Sequence, residues 1–112
     1  METITAVRAL GALAHESRLA IFRLLVVAGP DGVPAGTLAE QVGVAPSALS
    51  FHLKDLAHAE LVVPRQDGRR IFYSARFDTM NALLGFMTDN CCQGAACAAT
   101  APNPTVCCPE VS

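Results

Sequence analysis

The chain has 112 residues, 52% of them hydrophobic, and a formal net charge of −2. This length allows one domain with a single core and a short extension, and a partner subunit would help to complete so small a core. No apolar run approaches the roughly 18 residues that a membrane span needs, so we expect no membrane partner. The N-terminus mixes charged residues with helical periodicity and lacks the layout of a signal peptide, so we expect a cytoplasmic protein.

The N-terminal part of the chain predicts three helices. Apolar side chains recur at helical spacing over 3–13 and again over 16–28, and the segment GPDG at 29–32 ends the second of these helices. A short third helix is predicted over about 34–41. Gly43 then supplies a tight turn before the next element.

A fourth helix follows this turn. Pro46 suits its first position, where the missing N–H needs no partner. The helix continues over 47–60, and Leu49, Leu53 and Leu56 lie on its buried stripe. Two helices separated by a tight glycine turn are the pattern of a helix-turn-helix.

A β-hairpin and a last helix complete the predicted domain. Strand-like runs over 61–65 and 69–75 are joined by the sequence QDG at 66–68, which is a strong hairpin signal. Asp78 can cap a final helix over roughly 79–90. Four helices, a hairpin and a helix in this order predict a mainly α winged helix-turn-helix with a β-hairpin wing.

The composition changes near residue 90. Beyond it the chain is mostly Ala, Pro, Thr and Cys, and it lacks the large apolar side chains that a core needs. We therefore divide the chain into a winged helix-turn-helix domain for DNA binding and dimerisation at 1–90 and a cysteine-rich sensor tail at 91–112. We expect this tail to be flexible.

Three segments carry the features of the predicted fold: LAHESRLAIFRLL, then LAEQVGVAPSALSFHLKDLAHAELV, then the wing RQDGRRIFYSA. With their spacing, which covers about residues 5–90, the chain resembles the ArsR/SmtB family of bacterial metalloregulatory repressors. The resemblance implies a homodimer, built on the first and last helices, that binds double-stranded operator DNA. No catalytic motif occurs in the sequence, so we expect no enzyme.

Eight residues are candidates for contact with DNA. In the family the fourth helix enters the major groove, where hydroxyl, imidazole and amine groups bind phosphates and base edges and an aromatic ring can meet a thymine methyl group. Basic side chains on the wing would hold phosphate or the minor groove. The helix candidates are Ser47, Ser50, Phe51, His52 and Lys54, and the wing candidates are Arg65, Arg69 and Arg70.

The local charge agrees with this surface, although the whole chain is acidic. Between residues 47 and 76, five basic side chains stand against three acidic ones, which is the small local excess that a helix and wing require. They are Lys54, Arg65, Arg69, Arg70 and Arg76 against Asp55, Glu60 and Asp67. Because the excess is small, the prediction of DNA binding depends on the motif and not on charge.

All five cysteines follow position 90, and the first three form a compact group. Cys91 and Cys92 are adjacent, and Cys97 follows them closely. Neighbouring Cα atoms lie about 3.8 Å apart, below the roughly 4.4–6.8 Å of a relaxed disulfide. The pair therefore suits a shared soft ion better than a crosslink. Three thiolates fit a thiophilic ion such as As(III) or Sb(III).

The resemblance to the ArsR/SmtB family also indicates a thiophilic ion as the inducer. Two recurring sensor sites of the family are missing here: the segment at the start of the third helix, DGVPAGTLAE, has no cysteine, and the last helix, DTMNALLGFMTDN, has no histidine. The cysteine trio resembles the three-thiolate site of the arsenite-responsive members, which follows the dimer helix. We expect As(III), Sb(III) or methylated trivalent arsenic as the inducer, and no permanent cofactor.

Several alternatives stay open at this point. Cys107 and Cys108 form a second vicinal pair, to which we assign an accessory role, and either could supply the fourth ligand of a zinc site. The trio could also bind another soft metal, sense thiol oxidation, or serve a carrier that hands metalloid to an exporter. A carrier would need neither a DNA-contacting helix nor a wing. His15 resembles a helix cap, and neither His15 nor His58 has a second ligand at helical spacing.

Overall fold

The structure, a computed structural model, describes residues 1–89. In this part of the chain five helices and three strands follow one another, and they form the predicted winged helix-turn-helix with β2 and β3 as the wing. The elements are α1 Thr3–Leu13, α2 Glu16–Ala28, β1 Val33–Pro34, α3 Ala35–Val42, α4 Pro46–His58, β2 Val62–Asp67, β3 Arg70–Ala75 and α5 Phe77–Met87.

Local backbone chemistry explains how α2, α3 and α4 are bounded. His15 is the N-cap of α2, and its Nδ1 accepts a hydrogen bond from the Ser17 backbone N–H at 3.1 Å, which confirms the expected cap. Gly43 ends α3 in the left-handed conformation with a φ of 80°, which glycine adopts without strain. Pro46 occupies the first turn of α4, as predicted. The turn between the two helices is therefore confirmed.

The strands form one antiparallel sheet in the order β1-β3-β2. In the hairpin Asp67 pairs with Arg70, so the loop consists of Gly68 and Arg69 and lies slightly later than the predicted turn at 66–68. Gly68 has a φ of 64° and Arg69 does not have a positive φ, which is the pattern of a type II′ hairpin turn. Arg69 consequently lies at the tip of the wing.

The sequence did not predict strand β1. Val33 and Pro34 pair with Tyr73 and Phe72 of β3. Two residues are too few to show the alternation that marks a strand, and a proline argues against one, since it has no N–H to donate. The pairing is possible because β1 is an edge strand, where proline is tolerated.

A single apolar core joins the helices to the sheet. The predicted stripe of α4 is confirmed, because Leu49, Leu53 and Leu56 are each at most 2% exposed. The largest fully buried side chains come from α2, α3, α4 and the segment that leads into β2: Ile21, Leu25, Leu38, Leu53, Leu56 and Leu61. This burial fixes which side of α4 faces the solvent.

The predicted start of the last helix is wrong. Helix α5 begins at Phe77, its N-cap is Arg76, and no side chain caps it. Asp78 lies in the first turn instead, where its Oδ2 accepts a hydrogen bond from Arg76 Nη2 at 3.1 Å. This hydrogen bond and one from the Thr79 backbone hold the pKa of Asp78 below its ordinary value. A carboxylate there also suits the positive end of the helix dipole.

Helices α1 and α5 contact each other and leave an apolar surface uncovered. Helix α1 buries only alanines. Three of its larger apolar side chains, Ile4, Val7 and Leu10, are 41–66% exposed, and two large apolar side chains of α5 are 53–59% exposed. We define the α1–α5 face by these residues: Ile4, Val7, Leu10, Leu84 and Met87. Exposed apolar side chains of this size on two helices that contact each other are typical of an interaction surface.

Residues 1–89 hold neither a candidate membrane span nor a candidate metal site. No helix in this region is long and apolar enough to cross a membrane. In the same residues, no three His, Cys, Asp or Glu side chains lie close enough together to hold a metal ion.

The contact between the loop before β1 and strand β3 can be tested at Gly32. A Cβ there would lie 2.7 Å from the Tyr73 backbone oxygen, and Gly32 has a φ of 81°. Gly32→Ala should therefore lower the free energy of unfolding by about 1–3 kcal/mol. Gly36→Ala is the matched control, because a Cβ in α3 meets no atom within 4 Å and should raise stability by about 0.5–1 kcal/mol. Urea denaturation under reducing conditions compares them, and equal stabilities would contradict the close approach.

Candidate nucleic-acid interface

The outer side of α4 brings together four of the predicted DNA-contacting residues. Because successive residues of a helix are rotated by roughly 100°, the side chains opposite the leucine stripe project to the solvent. Ser47, Ser50, Phe51 and Lys54 are all exposed, and Phe51 is 62% exposed. We call these four residues the reading face. An exposed aromatic ring amid hydroxyl and ammonium groups can supply both apolar and polar contacts to base edges.

His52, the fifth predicted helix residue, lies at the border of the reading face. It is half-buried against α2, and its Nδ1 accepts a hydrogen bond from Arg18 Nε at 3.2 Å. Its ring centroid is 4.8 Å from that of His15. Burial and the charges of His15 and Arg18 lower the pKa of His52 below its ordinary value of 6.5, while Asp55 acts in the opposite direction. The Nδ1 atom of the His52 ring therefore already has a hydrogen-bond partner within the protein.

Arg18 is a functional candidate that sequence reasoning missed. Its guanidinium donates to His52 and also forms an ion pair with Asp55, so it connects α2 to α4. The side chain of Arg18 is only 17% exposed. Its partners lie 34 and 37 residues away along the chain, and no local pattern marks such a contact.

The three predicted wing arginines differ in their surroundings. Arg65 is held from two sides, since its Nη2 donates to the Asp31 backbone oxygen at 3.0 Å and its Cζ lies 5.0 Å from the Phe72 ring centroid. The Cζ of Arg70 lies over the same ring, 5.5 Å from its centroid. Arg69 is exposed at the tip of the wing. Arg69 and Arg70 also line, with the first residues of α3, a cleft of about 360 Å³.

The acidic side chains of this region are paired, so the free positive charge lies on α4 and the wing. Each of the three acids counted between residues 47 and 76 lies within 4 Å of an arginine, and the pairs are Arg18–Asp55, Arg65–Asp67 and Arg76–Glu60. Within residues 1–89, Lys54, Arg69 and Arg70 form no ion pair. The surface that would meet phosphate is therefore more basic than the net charge indicates.

The predicted sensor residues lie outside the described residues. This holds for Cys91, Cys92 and Cys97, and for the accessory pair Cys107 and Cys108.

Comparison with known proteins agrees with the winged helix-turn-helix fold. A helix-turn-helix domain family matches residues 13–65. The chain is 39% identical over 80 residues to the nodulation protein NolR of Rhizobium meliloti, covering 71% of this chain and 63% of that protein. It is 39% identical over 77 residues to the HTH-type transcriptional regulator YceK of Bacillus subtilis (strain 168), covering 68% of this chain and 76% of that protein.

Solved structures give the same result. An ArsR-like transcriptional regulator from Rhodococcus sp. RHA1 has a TM-score of 0.66 and 27% identity over 75% of this chain and 76% of its own. A possible transcriptional regulator for arsenical resistance has a TM-score of 0.61 and 30% identity over 70% and 79%. Reduced HlyU from Vibrio cholerae N16961 has a TM-score of 0.61 and 29% identity over 81% and 93%.

The fold, the exposed side of α4 and these relatives define a winged helix-turn-helix transcriptional regulator rather than an enzyme. More specifically, the chain belongs to the ArsR family. Regulators with a helix-turn-helix bind duplex DNA, which is consistent with the predicted interface.

The wing can be tested at Arg69, which has no ion pair to lose within the described chain. Arg69→Ala should weaken binding about tenfold on every duplex and reduce the salt dependence by about one unit of slope, as the loss of one phosphate contact does. Arg23→Ala removes the same charge from α2, beside α5, and should change neither quantity. Fluorescence anisotropy at several salt concentrations measures both. Equal effects of the two substitutions would show that the wing tip does not meet phosphate.

Proposed function

We propose that the protein is a homodimeric repressor that leaves its operator when trivalent arsenic binds Cys91, Cys92 and Cys97. The observation that carries this proposal is the position of the cysteine trio. Helix α5 ends at Met87, and the first thiol follows four residues later in a chain whose preceding domain is a winged helix-turn-helix. The likeness to a possible transcriptional regulator for arsenical resistance supports the class of inducer.

The homodimer is proposed from the α1–α5 face. Leaving these five apolar side chains in water costs the free energy that burial would recover, about 25 cal/mol per Å² of apolar area. A second copy offers the same face and covers both at once, as a two-fold axis requires. The two α4 helices could then enter successive major grooves about 34 Å apart.

The proposed inducer chemistry uses three thiols and no oxidant. Arsenous acid carries three hydroxyl groups on As(III), and each cysteine thiol replaces one of them, so that an As–S bond forms and a water molecule leaves. The arsenic stays trivalent throughout. Sulfur is the preferred ligand of such soft ions, and antimony(III) follows the same course.

Release from DNA would arise from a coupling between the thiol site and α5. Leu83 of α5 lies in the core, and Leu84 and Met87 lie on the α1–α5 face. An ion that draws together the three thiols just after Met87 would favour one placement of the helix end over another. Such couplings are typically about 1–3 kcal/mol, or about 5–150-fold in affinity.

The dimer face can be tested by placing a charge on it. Val7 is 60% exposed on α1, and Val7→Glu should convert the chain from a dimer to a monomer, since a buried unpaired carboxylate is costly. Val63→Glu introduces the same change on β2, where the side chain is 42% exposed, and should leave the dimer intact. Analytical ultracentrifugation in reducing buffer measures the mass. A monomeric wild type, or a dimeric Val7→Glu protein, would contradict the proposed face.

The sensor can be tested by replacing its thiols. The Cys91→Ser, Cys92→Ser, Cys97→Ser triple variant should bind operator as the wild type does, since these residues lie outside the reading face, but arsenite should no longer release it. The Cys107→Ser, Cys108→Ser double variant is the control and should still respond. Gel shifts in a thiol-free reductant compare them. A triple variant that is released at the wild-type arsenite concentration would place the sensor elsewhere.

Two further arms of this experiment identify the inducer and the part of the tail that binds it. Truncation after Thr100 should preserve the response. Cys97→Ser should weaken the response to arsenite more than the response to a methylated trivalent arsenical, because a methyl group already occupies one position on arsenic and two thiolates complete it. Equal losses for both inducers would show that Cys97 is not the third ligand.

Thiol oxidation is the second candidate, and one observation favours it: a similar structure is described as the reduced form of HlyU. An oxidant such as diamide would then release the operator without arsenite, and dithiothreitol would restore binding. Under the arsenic proposal, arsenite releases the operator while a thiol-free reductant keeps the cysteines reduced; dithiothreitol is left out of that arm because its two thiols would themselves bind As(III). The two mechanisms therefore give opposite results in the same gel shift.

A further inference from the structure

Four side chains form a polar bridge between the first turn of α2 and α4. They are His15, Arg18, His52 and Asp55, and we call this group the α2–α4 bridge. Arg18 Nε donates to His52 Nδ1 at 3.2 Å, and Arg18 Nη2 donates to Asp55 Oδ2. The His15 ring, whose Nδ1 caps α2, is tilted against the His52 ring with centroids 4.8 Å apart.

The geometry of the bridge restricts how α4 can turn. His52 and Asp55 are three residues apart, so they lie one above the other on the same side of the helix. The planar guanidinium of Arg18 binds both through different nitrogens, which a point charge could not do with the same geometry. Apolar packing is non-directional, whereas this pair of hydrogen bonds is directional. The leucine stripe sets which side of α4 is buried, and within that packing Arg18 adds a directional restraint on the rotation of α4 and hence on the reading face.

The bridge also requires one protonation state of His52. A neutral imidazole has one donor nitrogen and one acceptor nitrogen. Since Nδ1 accepts from Arg18, the ring proton belongs on Nε2. A protonated ring has two donors and no acceptor, so an N–H of His52 would then face the N–H of Arg18.

We propose that Arg18 is a positioning residue for the reading helix, and that protonation of His52 opens the α2–α4 bridge and lowers the affinity for operator DNA. This inference rests on the proposed function, because it needs the reading face to contact an operator.

The surroundings of His52 set the direction of the pH dependence. The groups that act on its ring are His15 and Arg18 of α2 and Asp55 of α4 itself. Burial, then the two basic neighbours, lower the pKa of His52 below 6.5, and Asp55 raises it. The neutral form is thus favoured in the folded state. Its stabilising contribution is complete above 6.5 and is lost as the pH falls through 6.5 towards the lower value in the folded protein.

This direction is opposite to that of ordinary charge effects. Acidification adds positive charge to a protein and normally strengthens its attraction to phosphate. A loss of operator affinity at low pH therefore points to a broken positioning contact.

The central experiment measures affinity against pH for the full chain in reducing buffer. The probe is a duplex of about 30 base pairs that the wild type selects from a random pool, which is long enough for two successive grooves. As the pH falls from 7.5 through 6.5 and below, the wild type should lose affinity, by about tenfold once His52 is protonated. His52→Asn keeps an acceptor oxygen near the position of Nδ1 but cannot titrate, so it should lose much less. His58→Asn removes the exposed histidine of α4 and should follow the wild type.

Variants of Arg18 separate positioning from general stability. Arg18→Gln and Arg18→Lys should each weaken operator binding at pH 7.5, and Arg18→Lys by the smaller factor because it keeps the charge beside Asp55. With the bridge broken, neither should retain the wild-type pH profile. Circular dichroism checks that both variants fold. A merely structural role would lower the melting temperature and leave the pH profile unchanged.

The tautomer gives a readout that needs no DNA. Long-range ¹H–¹⁵N spectra of the histidine rings should show His52 with its proton on Nε2 in the wild type at pH 7.5. In Arg18→Gln that preference should disappear. A wild-type His52 protonated on Nδ1 would overturn the inference.

The outcomes for DNA binding separate the two proposals. A wild type that selects no sequence at any pH removes the proposed function and this inference with it. A wild type that selects an operator but shows the same pH profile as His52→Asn removes the inference alone.

Discussion

Leu49, Leu53 and Leu56 hold α4 against the rest of the molecule through side chains that are at most 2% exposed. Burial of such a side chain stabilises the fold by roughly 1.5–3 kcal/mol, so this stripe secures the helix more strongly than any surface contact does. The same core receives Leu61, which precedes the wing, and Val62, the first residue of the wing. Helix α4 and the wing are therefore positioned by one continuous set of apolar contacts. The side of α4 that this packing does not bury is the side exposed to solvent.

Apolar packing determines which side of α4 is buried, and polar contacts add directional restraints to that packing. Arg18 joins α2 to His52 and Asp55, and Arg65 joins the wing to the Asp31 backbone oxygen. Each of these two arginines has a fixed partner within the protein. Lys54, Arg69 and Arg70 have no ion pair within residues 1–89 and stay available to phosphate. A count of basic residues cannot separate these two groups, because the partners come from distant parts of the chain.

The same distinction explains what the sequence could predict. Helix positions, the glycine turn and the hairpin follow from local periodicity and turn chemistry, and the structure confirms them. Strand β1, the Arg18 contacts and the Arg65–Asp31 hydrogen bond join residues more than 30 positions apart, for which one sequence holds no signal. Asp78 illustrates a different error, since a residue suited to capping lies in the first turn of the helix and pairs with Arg76. Of the candidate site, the members of the reading face were predictable, whereas the partial burial of His52 was not.

The connection of α5 indicates how the proposed sensor would reach DNA. Helix α5 begins directly after β3, and the Arg76 backbone N–H at this junction donates to the Leu61 oxygen at the entrance to the wing, at 2.8 Å. At its other end α5 carries Leu84 and Met87 of the α1–α5 face. A shift of α5 would therefore alter the geometry of the proposed dimer and the root of the wing together. An inducer can use this connection only if it binds more tightly to the placement of α5 that does not fit DNA. A ligand with equal affinity for both placements leaves the equilibrium between them unchanged. Cys91 follows Met87 by only four residues in the sequence. A long linker would absorb the strain of ion binding, whereas this short one would transmit it to α5.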